Sequence, residues 1–284
     1  MDTVRLSRQP KILIFGPGWL GHKLAEYLHA ELSPIDITDK PAVVALLDRV
    51  HPDVVVNAAG KTGKPNIDWC EDHKQETIQS NIVGPLVLLG ACEPRGIRLV
   101  HLSSGCIFTG ASPHTGGFME SDAPNPVSFY SWTKAYADEV LQKFPVLILR
   151  LRMPVDKEQN QRNLITKLAG YAKVINVENS ITVVDDLLTA TKTLIEQGAT
   201  GIYNVANPGP VRHEEILVMY REIVDPAHVY ELVGTEELYD LGLAKAGRSN
   251  CVLNTTKLKE AGVILPDARE RIRECLLAYK RRLS

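Results

Sequence analysis

The sequence of 284 residues predicts an α/β fold, in which a doubly wound parallel sheet carries a small C-terminal lobe. Three observations predict this fold. Short apolar runs alternate with helical patterns over the first two-thirds of the chain, a glycine-rich turn joins the first run to the first helix, and the last third is less regular. Strands that alternate with helices form βαβ units and a parallel sheet, and near-continuous apolar strands suit a sheet buried on both faces.

The predicted elements follow one another in a regular order. Apolar runs predict strands, in chain order, at 11–15, 35–37, 53–56, 98–102, 146–151 and 201–205. Helical periodicity predicts helices at 19–30, 42–50, 74–92, 131–143, 213–223, 257–261 and 268–279. No strong pattern covers 225–250. We therefore expect three parts: a tail at 1–10, a core at 11–155, and a lobe at 156–284 from which a segment near 180–205 returns to the core.

The composition excludes several classes of function. The formal net charge is -2, so no global field favours nucleic acid or an anionic membrane. No apolar run approaches the ~20 residues that span a bilayer, and the N-terminus lacks an apolar signal core. The 5 cysteines are scattered without metal-ligand spacing. We expect a cytoplasmic protein with reduced thiols and no bound metal.

A glycine-rich turn follows the first strand and opens the first helix. In a dinucleotide site, Gly16 permits the tight turn, Gly18 lets a pyrophosphate approach the backbone, and Gly21 lets helix and strand pack closely. An ordinary strand–helix turn is the alternative interpretation. The expected acidic residue after the second strand is not obvious, and Glu31 and Asp36 are the candidates. The predicted fold is therefore Rossmann-like, with its cofactor on the turn Gly16-Pro17-Gly18-Trp19-Leu20-Gly21.

A tyrosine and a lysine four residues apart form the second motif. Tyr130 and Lys134 share a face if the segment is helical. A tyrosine with an ordinary pKa near ~10 is a poor proton donor to a carbonyl unless its phenolate is stabilised, and a neighbouring ammonium lowers that pKa. Lys134 can also hold the nicotinamide ribose, so that Tyr130 and Lys134 are cofactor contacts too. The hydroxyl of Ser104, at the end of a predicted strand, would hydrogen-bond the same carbonyl. Without the glycine turn, the pair would be an ordinary surface pair.

The order of these three features resembles the extended short-chain dehydrogenase/reductase superfamily. Further motifs narrow the resemblance to the nucleotide-rhamnose synthase/epimerase-reductase family, which is similar to the dTDP-4-dehydrorhamnose reductases. The resemblance covers the chain from Lys11 to about residue 279. The motifs that carry it are "NAAGKTGKPNIDWCEDHK" (57–74), "SGCIF" (104–108), "FYSWTKA" (129–135), "LRLRMPV" (149–155), "RNLITK" (162–167) and "AGRSN" (246–250).

The resemblance implies a bifunctional enzyme. Members of this family convert a UDP- or dTDP-4-keto-6-deoxyglucose to the L-rhamnose nucleotide by 3,5-epimerisation and NADPH-dependent 4-reduction. Here we expect UDP, and NADH stays open as an alternative cofactor. The resemblance places the epimerase acid/base groups at Cys106 and Lys167. Ser104 replaces the usual threonine and keeps the hydroxyl.

Inversion of a carbon beside a ketone supports a pair of acid/base groups. A proton must leave one face of the sugar and another must return to the opposite face, which one group cannot easily do. The ordinary thiol pKa of ~8.5 lies close enough to neutrality for proton exchange. Cys106 and Ser104 share a side if the segment is extended, whereas a small buried hydrophobic residue is the alternative for Cys106. Lys167 would need a pKa lowered by burial or by nearby cations such as Arg162 or Lys173.

Other residues are weaker candidates, and a structural role is the alternative for each. We expect the residues after the third strand, a helical asparagine and a methionine to contact the cofactor: Asn57, Ala58, Ala59, Asn81 and Met153. We expect the nucleotide sugar to contact Asn66, Trp69, Asn163 and Arg248 together with Ser104. We expect Arg150 and Arg152 to form structural pairs.

Two other functions stay open. A monofunctional reductase would act after a separate epimerase, and a relative of these reductases is a non-catalytic regulatory subunit of methionine adenosyltransferase. The sequence does not distinguish UDP from dTDP, a plain 6-deoxy sugar from a 2-acetamido sugar, or the oligomeric state. The resemblance suggests a homodimer.

Overall fold

The computed structural model describes residues 9–282 and contains a parallel sheet of six strands in the order β2-β1-β3-β4-β5-β9. Each strand of this sheet runs in the same direction as its neighbours. The strands are β1 (Ile12–Phe15), β2 (Glu31–Ser33), β3 (Val54–Asn57), β4 (Arg98–Ser104), β5 (Leu147–Leu151) and β9 (Gly201–Val205). Because β2 and β3 lie on opposite sides of β1, a crevice opens at the carboxyl ends of β1 and β3.

Helices cover both faces of this sheet. One face packs against α1 (Trp19–Leu28), α8 (Val184–Glu196) and α11 (Thr256–Glu260). The other face packs against α2 (Lys40–Val50), α5 (Gly84–Cys92) and α6 (Phe129–Leu141). Both faces of the central strands are buried, as the apolar runs predicted, so the α/β, doubly wound fold class is confirmed.

The chain between β3 and α5 is helical with one irregular turn. It contains α3 (Asp68–Asp72), α4 (Lys74–Ile78) and a π-helical turn at Gln79–Val83 that runs into α5. Such turns are frequent at functional sites. Here the turn carries Asn81, which is buried.

The second strand differs from its prediction. The predicted strand at 35–37 is wrong, because β2 is formed by Glu31–Ser33. Helix α1 ends at Leu28, with His29 in the left-handed conformation, which starts the strand early. Pro34 then has no N–H for the ladder, and the Ser33 side chain accepts from the Ile35 N–H at 3.1 Å. Residues 35–39 form a turn instead.

The remaining elements build the C-terminal lobe on the carboxyl side of the sheet. Two small sheets belong to it, one in the order β10-β8-β6 and one in which β11 pairs with β7. Their strands are β6 (Pro154–Val155), β7 (Lys173–Ile175), β8 (Glu178–Val183), β10 (Asn207–Arg212) and β11 (Glu231–Val233). The helices of the lobe are α7 (Leu164–Ala169), α9 (His213–Ile223), α10 (Thr235–Asp240) and α12 (Ala268–Arg281).

The lobe has its own apolar core, to which β8, α7, α9 and α12 contribute. Between β8 and β10, α8 and β9 return to the large sheet. Residues 1–8 of the predicted tail lie outside the described residues. Within residues 9–282, no helix is both long and apolar enough to cross a membrane, and no group of His, Cys, Asp or Glu side chains is arranged to hold a metal ion.

Candidate active site

A cavity of about 860 Å³ lies between the carboxyl ends of the central strands and the lobe. Ala58 follows β3, Ser104 ends β4 and Arg152 follows β5, and all three line the cavity. The lobe contributes α7 and the strand β7 to the opposite wall. The cavity therefore joins the two parts of the fold at the switch point where doubly wound sheets bind ligands.

The glycine turn meets the steric demands of a dinucleotide site. Gly16 has φ +97°, and a Cβ there would lie 2.3 Å from the Ala59 nitrogen. A Cβ at Gly21 would lie 1.9 Å from the Gly16 oxygen, whereas nothing lies within 4 Å of one at Gly18. Gly18 is the N-cap of α1 and provides no side-chain cap, and the first turn holds no acidic residue. Free N–H groups at this helix terminus, with open space above Gly18, fit a pyrophosphate.

The structure distributes the other predicted cofactor residues between the cavity wall and the layer behind it. Asn57 lies behind the wall, where its Nδ2 donates to His101 Nδ1 at 3.1 Å and its Oδ1 accepts from the Ala59 N–H at 3.0 Å. Asp36 is exposed and does not line the cavity. Its carboxylate accepts from the N–H and the hydroxyl of Thr38, and these bonds lower its pKa. The predicted cofactor residues that line the cavity are Trp19, Leu20, Ala58, Ala59, Asn81, Tyr130, Lys134 and Met153.

Asn81 connects the loop after β3 to helix α6. Its Oδ1 accepts from the Lys61 N–H at 2.8 Å, and its Nδ2 donates to the Lys61 carbonyl at 3.0 Å and to Thr133 Oγ1 at 3.1 Å. These three bonds use both N–H donors of the amide and one lone pair of its oxygen on protein partners. Asn81 thus fixes the cavity floor beside Tyr130.

Tyr130 and Ser104 come together on the cavity wall. Ser128 caps α6, because its hydroxyl accepts from the Ser131 N–H at 3.1 Å, and Tyr130 lies in the first turn. Burial and the Cys106 sulfur raise the pKa of Tyr130, while a hydrogen bond from Ser104 and the charge of Arg152 act in the opposite direction. The phenol is therefore held in its protonated form.

The Lys134 ammonium contacts strand β4. It donates to the Leu102 carbonyl at 2.8 Å and lies 3.2 Å from His101 Nε2. Burial lowers the pKa of Lys134 to about 8, and burial together with this ammonium lowers the pKa of His101 well below its ordinary value. The pKa of Tyr130 is raised, because desolvation of the phenol is the largest effect on it, and its lowering by Lys134 stays a prediction.

Cys106 lies in a short 3₁₀ turn, Gly105–Ile107, and not in an extended segment. The Ser104 hydroxyl caps this turn by accepting from the Cys106 N–H at 3.2 Å. The sulfur is half-buried and lines the same cavity as Ser104 and Tyr130. An Nη1–H of Arg152 donates to the Cys106 sulfur at 2.7 Å.

Lys167 approaches the same cavity from the lobe, on α7. Burial lowers its pKa, and the charges of Arg162 and Arg248 act in the same direction. Lys173, the other cation near it in sequence, instead forms an ion pair with Glu231 at 2.8 Å. Of the two cations expected from the sequence, Arg162 is therefore the one that influences Lys167.

Three of the five residues predicted for the nucleotide sugar line the cavity, namely Asn66, Ser104 and Arg248. The Arg248 guanidinium also pairs with both oxygens of Asp68 at 2.7 Å, which joins the lobe to the start of α3. Trp69 does not line the cavity and stacks on His73 with ring centroids 3.9 Å apart.

Asn163 is buried as the N-cap of α7 and does not line the cavity. Its Oδ1 accepts from the Ile165 and Asp156 N–H groups, and its Nδ2 donates to the carbonyls of Asp156 and Glu158. All its hydrogen-bonding capacity is used within the fold. We therefore correct the expectation for Asn163, because this geometry makes it a residue that holds α7 and Lys167 in place.

The prediction missed two buried residues of the cavity wall. Arg150 pairs with Asp138 at 2.8 Å as expected, whereas Arg152 forms no ion pair with a carboxylate within residues 9–282 and contacts Cys106 instead. His213 Nδ1 donates to the Ile175 carbonyl at 2.9 Å, and burial lowers its pKa to about 4. The sequence indicates a special position for Arg152 only in that a charged residue directly follows the apolar run at 146–151.

Comparisons with known proteins agree on one family. The model of the RmlD substrate binding domain matches residues 11–281. A bifunctional dTDP-4-dehydrorhamnose 3,5-epimerase/dTDP-4-dehydrorhamnose reductase from Arabidopsis thaliana is 43% identical over 260 residues, which cover 87% of this chain and 86% of the relative. The crystal structure of a UDP-rhamnose synthase from Acanthamoeba polyphaga mimivirus has 35% identity and a TM-score of 0.89, covering 95% of this chain and 99% of that one.

A longer plant protein contains a related segment. A trifunctional UDP-glucose 4,6-dehydratase/UDP-4-keto-6-deoxy-D-glucose 3,5-epimerase/UDP-4-keto-L-rhamnose-reductase from Arabidopsis thaliana is 38% identical over 89% of this chain. This chain spans 40% of that protein's length.

Proposed function

The chain belongs to the RmlD substrate-binding domain family, and from this premise we propose that it is a bifunctional 3,5-epimerase/4-reductase of a nucleoside-diphosphate-4-keto-6-deoxyglucose. The family predicted from the sequence motifs is thereby confirmed. The relatives named above are enzymes of nucleotide-sugar metabolism, so this chain is an oxidoreductase with an epimerase half. The product we propose is the L-rhamnose nucleotide, with UDP as the nucleotide.

One observation carries the proposal: Ser104, Cys106, Tyr130 and Lys167 line a single cavity. Ser104 and Tyr130 are donors for a carbonyl oxygen, and Cys106 and Lys167 are two titratable groups that approach from the core and from the lobe. A ketone acidifies the hydrogens of its neighbouring carbons, so one set of donors at its oxygen serves both reactions. A reductase alone has no use for the second pair.

In the reductive half, Tyr130 donates its proton to the O4 oxygen and Ser104 donates a hydrogen bond to it. A bound NADPH supplies the hydride for C4. Burial raises the pKa of Tyr130 and makes it a weaker acid than an exposed tyrosine, but an alkoxide forming at O4 is a stronger base than a phenolate, so the phenol gives up its proton once charge develops there. Lys134, fixed by the Leu102 carbonyl, lies one helical turn from Tyr130 on α6, where it can hold the cofactor ribose.

In the epimerase half, Cys106 and Lys167 exchange protons at C3 and C5. The electron pair left on carbon moves to O4, where Tyr130 and Ser104 stabilise the enolate. Because its pKa is lowered, Lys167 exchanges protons near neutral pH more readily than an exposed lysine does. Reduction and epimerisation therefore use the sugar in the same position within the cavity.

The cofactor region favours NADPH within this proposal. NAD sites place an acidic residue at the end of the second strand to accept from the ribose 2′-hydroxyl. Here β2 ends at Ser33, and Asp36 lies in an exposed turn outside the cavity wall. The end of β2 therefore has no carboxylate that could repel the 2′-phosphate of NADPH. Comparing kcat/KM for NADPH with that for NADH tests this choice.

The experiment that tests the proposed function uses UDP-4-keto-6-deoxyglucose and, as a parallel substrate, its dTDP counterpart, in heavy water with and without NADPH. We expect deuterium at C3 and C5 without cofactor, and oxidation of NADPH with formation of the rhamnose nucleotide when it is added. No deuterium at either carbon would leave only a monofunctional reductase. Deuterium without oxidation of NADPH or NADH would refute the reductive half, and no turnover at all would revive the non-catalytic alternative.

A cytoplasmic location and a homodimer complete the proposal. The 5 cysteines of residues 9–282 are all unpaired, which suits a reducing compartment. Light scattering of the purified chain tests the homodimer, and fractionation of the source cell tests the location.

A further inference from the structure

His213 is a buried imidazole on the cavity wall to which the proposed chemistry assigns no role. It is the first residue of α9, and 6% of it is exposed. Its Nδ1 lies 2.9 Å from the Ile175 carbonyl, and a carbonyl oxygen only accepts, so Nδ1 carries the ring proton. Because burial lowers the pKa of His213 to about 4, the ring is neutral at pH 7. Its Nε2 is therefore a hydrogen-bond acceptor.

The protein provides no donor for this Nε2. Within residues 9–282, the atom at hydrogen-bonding distance from it is Met153 Sδ, at 3.5 Å, and a thioether has no hydrogen to donate. Leaving a buried acceptor unpaired is unfavourable, so we expect a bound ligand to supply the donor. The charge of Arg152 also lowers the pKa of His213, which favours a neutral donor over a cationic one.

The backbone of Met153 provides a second indication of a ligand at this place. Met153 connects β5 of the core to β6 of the lobe and lines the cavity together with His213. Its φ of +41° lies in the left-handed region, which residues other than glycine rarely adopt. Such strained residues cluster at ligand sites. The unpaired Nε2 therefore lies where the core and the lobe would enclose a ligand.

The sugar is the ligand that suits this position. The glycine turn that fits the cofactor pyrophosphate belongs to the core, whereas His213, like Lys167, belongs to the lobe. A 4-keto-6-deoxyglucose linked through C1 has a ketone at C4 and a methyl group at C6, so its sugar hydroxyls are those at C2 and C3. C3 is inverted by the epimerase half, whereas C2 keeps its configuration. An acceptor fixed by the Ile175 carbonyl therefore suits the C2 hydroxyl better.

We propose that His213 is a specificity-determining residue whose Nε2 accepts a hydrogen bond from the C2 hydroxyl of the nucleotide sugar. The proposal rests on the proposed function, because it takes the sugar of that function as the ligand. It adds a selection at a carbon that does not react. A sugar without a donor at C2 leaves Nε2 unpaired in the complex and should bind more weakly.

Binding of the proposed product and of a fluorinated analogue tests this contact. Isothermal titration calorimetry gives the Kd of UDP-rhamnose and of its 2-deoxy-2-fluoro analogue for the full-length protein with NADP⁺ present. Fluorine is similar in size to a hydroxyl group but has no hydrogen to donate. We expect the analogue to bind about 10- to 100-fold more weakly. Kd values within about twofold of each other would overturn the proposal without any variant.

Two substitutions link this preference to the imidazole. His213→Phe keeps a ring without an acceptor, so the two Kd values should differ by less than about threefold. His213→Gln keeps an amide oxygen that can accept, and should retain part of the preference. The matched control is His228→Phe, because His228 packs against Tyr220 in the lobe and does not line the cavity; its preference should equal that of the unmodified chain. A folded His213→Phe with the full preference would contradict the proposal.

The nicotinamide carboxamide is the competing donor, because we expect Met153 to contact the cofactor. The Kd of NADPH is therefore compared with that of its 3-acetylpyridine counterpart, which lacks the amide N–H groups. We expect the ratio of these two Kd values to be the same in the unmodified chain and in His213→Phe. A preference for NADPH that disappears in His213→Phe would assign Nε2 to the cofactor and overturn the proposal.

Failure of this inference can be distinguished from failure of the proposed function. If the unmodified chain neither binds UDP-rhamnose nor converts UDP-4-keto-6-deoxyglucose, the proposed function is wrong. If it does both but binds the fluorinated product equally well, only the role of His213 is wrong.

Discussion

The two groups of reactive side chains in the cavity are assembled in different ways. The reductive group, Ser104, Tyr130 and Lys134, comes from β4 and α6 of the core alone. The proton-exchange group takes Cys106 from the core and Lys167 from the lobe. Arg152, which contacts Cys106, is held by Asn179 and Ser249, which are 27 and 97 residues away in the chain.

The reductive group therefore depends on the sheet, whereas the proton-exchange group depends on how the lobe docks against the sheet. Changes in the lobe should therefore impair epimerisation before reduction. Substitutions in each group test whether epimerisation and reduction can be impaired separately.

Tyr130→Phe should impair both halves, because Tyr130, like Ser104, acts at O4 in reduction and in epimerisation. It removes the proton donor at O4, and general-acid groups contribute about 10² to 10⁴ in rate. We expect losses of that size in NADPH oxidation and in deuterium incorporation. If only NADPH oxidation fell, the enolate would not be stabilised by Tyr130, and the two halves would not share their donors.

Cys106→Ser and Lys167→Met should separate the two halves. Each removes one proton-exchange group, and we expect deuterium incorporation to fall by about 10² to 10⁴. Reduction of the already epimerised substrate should fall by less than about tenfold, because neither side chain donates to O4. A comparable loss on both substrates would mean that these residues serve binding rather than proton exchange.

Acid should weaken the lobe through His213. The folded-state pKa is about 4 and the ordinary value is 6.5, so the unfolded chain binds more protons between these values and stability falls as the pH drops through this window. Between pH 7 and pH 5 the contribution is about 2 kcal/mol. Urea unfolding at both pH values should show a loss larger by that amount in the unmodified chain than in His213→Gln.

Comparing the unmodified chain with His213→Gln removes the contribution of other titrating groups. His101 is also buried with a lowered pKa, but it is present in both and cancels. Identical losses in the two proteins would show that His213 does not titrate differently on folding.

Asn163→Ala should have the smallest effect, and it tests the correction made for this residue. Loss of an N-cap costs about 1 kcal/mol, so the midpoint of thermal unfolding should fall. Because α7 carries Lys167, deuterium incorporation should fall more than reduction does. A raised KM for the nucleotide sugar with no change in thermal stability would instead support direct contact with the substrate.

Much of the fold could be predicted because its signals are local. The apolar runs that became β1, β3, β4 and β5 are buried on both faces, and the glycine turn contains its own steric requirement at Gly16 and Gly21. The second strand failed because β2 has three residues, too few for a periodic pattern. The side chains of Ser33, at the end of β2, and of Asp36, in the following turn, then accept hydrogen bonds from nearby backbone N–H groups.

The sequence could place residues together where they share one element, as Tyr130 and Lys134 do on α6. The site was not predictable where a side chain meets distant segments. Arg152 looked like a structural strand residue because its partners at 179 and 249 are brought to it only by the docked lobe. Asn163 looked like a ligand contact, but its amide is used by the turn around it.

The most direct test of the central claim, that one cavity serves both halves, is competition by a nucleoside diphosphate. UDP is titrated into the deuterium-exchange reaction with NADP⁺ present, and into the NADPH oxidation reaction, with the sugar nucleotide far below its KM in both. We expect UDP to inhibit the two reactions with the same inhibition constant. Inhibition of only one reaction, or constants that differ about tenfold or more, would place the two chemistries in separate sites and contradict it.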